Sequence, residues 1–78
     1  MRYEESREIA ISFFPVIRRI FQDAPPTVES REHIMRRLNF QVHSDPRYQR
    51  LPNWAKTFLA GYVECCFEQR FGPGDARE

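Results

Sequence analysis

Seventy-eight residues make one domain and leave no room for a second. Surface scaling for a chain of this size gives about 5,000 Å² folded against about 13,600 Å² unfolded, a workable but thin core. Apolar content of 41% with 14% aromatic is too high for a disordered chain. A net charge of +1 argues against a general polyanion binder.

The punctuation "DAPPT", "SDP", "LPN" and "GPGD" divides the chain into three long helical segments and a short one. The first spans about Glu4 to Gln22. At 100° per residue, Ile9, Ala10, Phe13, Phe14, Val16, Ile17, Ile20 and Phe21 fall in one apolar sector, and only Ile11 lies outside it. Pro15 removes a hydrogen bond to the carbonyl of Ile11 and sits on the polar face, so the spacing predicts one helix kinked around the core. The alternative is a break at which Ser12 caps a new helix with Pro15 in its first turn.

The second helix starts after "PPT", with Thr27 as N-cap and Glu29 in the first turn. Ile34, Met35, Leu38 and Val42 share an apolar face with Val28, and Glu32 and Arg36 form an i,i+4 pair. The alternation in "LNFQV" also fits a strand, but no second strand signal exists to pair with it. In "SDPRYQRLP" a short helical turn is expected, capped by Asp45 or Ser44 with Pro46 in the first position. The last helix begins at Pro52 or Asn53 and ends by Phe71, with Gly72 at the C-cap and Pro73 blocking continuation.

The expected fold is therefore all-α: a small bundle of three long helices, the first kinked at Pro15, plus one short connecting helix. Residues 1–72 form the domain and 73–78 a frayed tail. Sequential helices joined by short loops should pack as antiparallel neighbours.

The last helix holds more apolar material than one packed face needs. On the wheel, Trp54, Ala55, Phe58, Leu59, Tyr62, Val63, Cys65 and Cys66 fill one half and are expected to form the core side. Ala60, Phe67 and Phe71 form a second, narrower stripe, with Gly61 at the edge between the two. That stripe is either covered by the first helix and the last helix's own C-terminal turn or is a dimer or partner contact, since aromatics dominate such anchors.

The middle helix carries a different surface. Between residues 31 and 56 stand six basic side chains and two acidic ones, a local charge of +4. His33, Arg36, Arg37, Phe40 and His43 fall opposite the apolar stripe, a basic face suited to an acidic protein surface, phosphate or stacked bases. The alternative is that Phe40 folds down under Tyr48 or Trp54. Eleven of the twelve basic residues are Arg, which suits bidentate contacts but also follows from a GC-rich genome.

Cofactor chemistry has no foothold in these spacings. His33, His43, Cys65 and Cys66 do not match the ligand spacing of a structural zinc site, and adjacent cysteines on a helix diverge by about 100°. "HSD" at 43–45 is a consecutive run, which cannot align base, nucleophile and orienter. No Gly-rich phosphate loop is present. The chain opens with mixed charge rather than a leader, no apolar run approaches a membrane span, and two neighbouring Cys make no disulfide framework. A cytoplasmic location with reduced thiols is expected. The helix start "LPNWA" is similar to those of small accessory proteins carried by phages and mobile elements, a likeness that gives no residue a role.

The functional expectation is a non-enzymatic protein-interaction module, a regulator or inhibitor acting on a partner protein, as a homodimer and without a cofactor. The alternative is a nucleic-acid-binding regulator using the basic 31–56 segment.

Overall fold

The computed structural model describes residues 2–25 and 30–72. Thr27, Val28, Glu29 and the 73–78 tail lie outside them. The elements are α1 (Tyr3–Ser12), α2 (Phe14–Asp23), α3 (Ser30–Leu38) continuing into a wide π turn (Asn39–His43), α4 (Pro46–Gln49) and α5 (Asn53–Phe71). Counting α1–α2 as one bent rod and α3 with its π turn as another, the described residues form three long helices and one short connector. No strand occurs among the described residues.

The bend between α1 and α2 falls at Phe13, whose φ of −83° and ψ of −14° keep the chain near-helical. Pro15 supplies no N–H, and the Phe13 N–H turns to Ala10 O at 3.1 Å while Ile17 N–H resumes the ladder to Phe13 O at 2.9 Å. Ser12 does not cap the new helix. Its hydroxyl donates back to Ile9 O at 2.6 Å, a local bond that favours bending. At the start of α1, the Glu5 carboxylate accepts from the Arg2 N–H at 3.2 Å.

Asp45 caps α4, accepting from the Arg47 N–H at 2.8 Å with Pro46 in the first turn. Ser44 instead donates to Phe40 O at 2.6 Å. α5 ends where Gly72 takes a φ of 76° and its N–H reaches Glu68 O at 2.7 Å, a conformation that a Cβ would strain.

Ring contacts fix the helix directions. Tyr3 stacks on Trp54, Phe14 on Tyr62, and Phe21 meets Phe67 edge-on. Contacts climb both rods together, so α1–α2 runs parallel to α5. α3 runs back the other way, with Arg31 at its start lying over Phe67 and Phe71 near the end of α5. Each long helix is thus antiparallel to its neighbour in sequence.

The core comprises Ala10, Phe13, Ile17, Ile20, Phe21 and Ala24 from the first rod, Ile34, Leu38 and Val42 from the second, and Leu51, Ala55 and Leu59. Ile17 and Ile34 are fully buried, and truncating either to Ala would cost about 2–5 kcal/mol. The principal extents are 41 × 23 × 16 Å.

Candidate interaction surfaces

Only Ala55 and Leu59 of α5 are fully buried, with Tyr62, Val63, Cys66, Phe67 and Phe71 packed partly against the core. The helix is therefore rotated from the orientation its bulkiest residues imply. Trp54 and Phe58, expected in the core, are 42% and 49% exposed, and Cys65 is exposed as well. Small side chains account for the rotation: Ser6, Ala10 and Ala55 are all fully buried, so α1 and α5 approach through residues that present little bulk.

The exposed face of α5 carries Trp54, Phe58, Gly61 and Cys65, spaced 4, 3 and 4 residues apart. It continues onto the neighbouring rod. Tyr3, 64% exposed, stacks on Trp54 with centroids 4.9 Å apart. Phe14 lies 5.7 Å from Phe58 and 4.2 Å from Tyr62. Arg18 closes this end, donating to the Tyr62 hydroxyl at 3.3 Å. Between Phe58 and Cys65, an almost wholly apolar hollow of about 410 Å³ opens over Gly61, where a Cβ would meet nothing within 4 Å. The 4-3-4 spacing is itself a seam signal in the sequence; on the wheel Trp54, Phe58 and Cys65 fall in the apolar half with Gly61 at its edge, because Trp and Phe dominate the apolar weight.

The stripe of Ala60, Phe67 and Phe71 meets a different fate at each position. Phe67 packs edge-on against Phe21 and parallel to Phe71, and the Arg31 guanidinium lies 4.7 Å and 5.3 Å from the two ring centroids. The first rod and α3 thus half-cover both rings. Ala60 is exposed and lines a groove of about 350 Å³ between α3 and α5, floored by Ile17, Leu38 and Leu59 and walled by Met35, Val63 and Phe67.

The five residues of the basic face are not held together. His33 and Arg36 are exposed, with Arg36 in a loose 3.9 Å pair with Glu32. Phe40 is 78% exposed and folds under neither Tyr48 nor Trp54. Arg37 is half-buried at the hollow it shares with Pro15, Val16 and Asp23. His43 turns inward: its ring lies 5.0 Å from that of Tyr48, and its Nδ1–H donates to Asn39 Oδ1 at 2.7 Å. The cause is the π turn, in which Ser44 N–H bonds Asn39 O five residues back and so rotates His43 away from the α-helical register. Burial lowers the His43 pKa from its ordinary value.

The two cysteines differ. Cys65 faces out on the seam, whereas Cys66 is half-buried, and burial pushes its thiol up. No group of three or more His, Cys, Asp or Glu side chains that could hold a metal ion occurs among the described residues. No helix among them is long and apolar enough to cross a membrane. No protein-family model matches the chain, and neither does any curated protein or solved structure.

Proposed function

We propose that this protein is a non-enzymatic interaction module that regulates or inhibits a partner protein by binding it, and that it works as a homodimer. The observation that carries this reading is the exposed aromatic ladder in which Tyr3 stacks on Trp54 beside Phe58, with Phe14 and Tyr62 beneath. Three large rings left 42–64% exposed in one contiguous patch support this reading, since scattered surface apolar residues are ordinary but contiguous ones favour binding. Affinity capture from the host, read by mass spectrometry, tests it. A protein retained by the wild type and lost with Trp54→Ala or Phe58→Glu supports the module; identical recovery with all three chains removes the ladder from any such role.

A second reading, nucleic-acid binding by the 31–56 segment, is favoured by the exposure of Phe40 one helical turn from Arg36. It requires binding that weakens steeply with salt, with a slope flattened by Arg36→Ala and Arg37→Ala. Absence of binding at low salt ends it.

A further inference from the structure

We propose that the aromatic ladder docks a second copy of this chain, with the two α5 helices antiparallel and the Phe58 ring of each copy seated over Gly61 of the other. This rests on the interaction-module reading and names its first partner.

Self-complementarity is the first support. A closed two-fold dimer requires one patch to carry both a projection and the recess that receives it, because each copy uses the same surface. Here both are present within one helical turn. Phe58 projects, half exposed, and the apolar hollow over Gly61 is bounded by Thr57, Tyr62 and Cys65. An antiparallel two-fold axis midway between positions 58 and 61 sets Phe58 opposite Gly61 twice and Trp54 opposite Cys65 twice. A parallel pairing would instead oppose Gly61 to Gly61 and leave the hollow unfilled.

The spacing is the second support. Trp54, Phe58, Gly61 and Cys65 follow the 4-3-4 rhythm by which side chains of one helix insert between those of another in a coiled-coil seam. No described residue of this chain fills that seam. Thr57 and Glu64 flank it on the open side. In the antiparallel register Glu64 of one copy faces Asn53 and Thr57 of the other, so no like charges are forced together.

Area is the third. With about 150–250 Å² per aromatic side chain, Tyr3, Trp54 and Phe58 together expose on the order of 300 Å² per copy. Two copies thus bring about half of the roughly 1,200 Å² at which stable interfaces begin. The rest is available from Phe14, Tyr62, Thr57 and Cys65 on the same face.

The test is solution mass by sedimentation or light scattering from micromolar to near-millimolar concentration, for the wild type, Phe58→Glu and Gly61→Leu. The wild type should reach twice the 9.4 kDa chain mass, and both variants should remain at the single-chain mass. Gly61→Leu guards against misfolding as the explanation, because open space surrounds a Cβ there and helical circular dichroism should be retained. Alkylation of Cys65 should also slow with wild-type concentration and not with that of Phe58→Glu. A wild-type monomer across the range overturns the proposal and the homodimer part of the functional reading, while binding of a partner protein by the module still stands or falls on ladder-dependent capture. A dimer that survives both substitutions, or Cys65 alkylation independent of concentration, overturns it too and places self-association elsewhere.

Discussion

The Arg70 guanidinium of α5 donates to the carbonyl oxygen of Phe21 at 2.7 Å, across 49 positions of sequence, and also to Ala24 O. These are the carbonyls at the C-terminus of α2, which lack intrahelical partners and carry the negative end of the helix dipole. One side chain from the last helix therefore caps the second. Its Nε is buried without a partner, so the geometry favours the two terminal nitrogens over the whole fork.

Replacing Arg70 with Ala should cost about 2–3 kcal/mol, because charge-assisted hydrogen bonds contribute about 1.5–3 kcal/mol and two carbonyls lose their donor. Arg70→Lys should recover only part of this, as an ammonium lacks the fork. Urea unfolding of the three chains measures it, and equal midpoints would show that water replaces the guanidinium without loss.

Ser6 is fully buried and its hydroxyl has no hydrogen-bond partner. An unsatisfied buried polar group costs about 1–3 kcal/mol, and Ala is also the better helix former. Ser6→Ala should therefore stabilise the protein by about 1 kcal/mol or more, raising the thermal midpoint by several degrees in calorimetry. A fall in midpoint would mean the hydroxyl is hydrogen-bonded in solution.

His43 supplies the pH dependence. Burial lowers its pKa in the folded state, so the unfolded chain binds the proton more tightly. The stability gained by keeping the ring neutral is present above its unfolded value of about 6.5 and is lost as pH falls through the lower folded value. Stability measured between mildly alkaline and mildly acidic pH should decline on acidification, and His43→Gln should flatten that decline. An unchanged slope in the variant would assign the dependence to other groups.

Cys65 and Cys66 should react at different rates with an alkylating reagent in the Phe58→Glu chain. Cys65 is exposed, whereas burial raises the Cys66 pKa and reduces its thiolate at neutral pH. Mass spectrometry of partial digests should find the Cys65 adduct first; equal rates would contradict the packing of Cys66 beside Tyr62.

The elements governed by local chemistry were legible in the sequence. Pro15, the Asp45 cap with Pro46, and Gly72 each act through their own backbone, and each stands where its chemistry requires. What was not legible depends on partners distant in sequence. The rotation of α5 follows from Ser6, Ala10 and Ala55, whose small side chains permit a close approach that bulk-weighted periodicity does not register. Bulk alone therefore points Trp54 and Phe58 to the core and hides the seam they form with Gly61 and Cys65. The π turn removes His43 from the face of His33 and Arg36, because one extra residue in a turn shifts every later side chain. Arg70 showed nothing of its role, since the carbonyls it caps lie on another helix.

The shared direction of α1–α2 and α5 has a mechanical consequence. The start of the first rod and the end of the last lie at opposite ends of their common interface. Tension applied at Tyr3 and Phe71 would therefore load that interface in shear, straining the Tyr3–Trp54, Phe14–Tyr62 and Phe21–Phe67 contacts together. An antiparallel pair pulled from adjacent ends peels open one contact at a time. In this arrangement all three contacts are loaded at once.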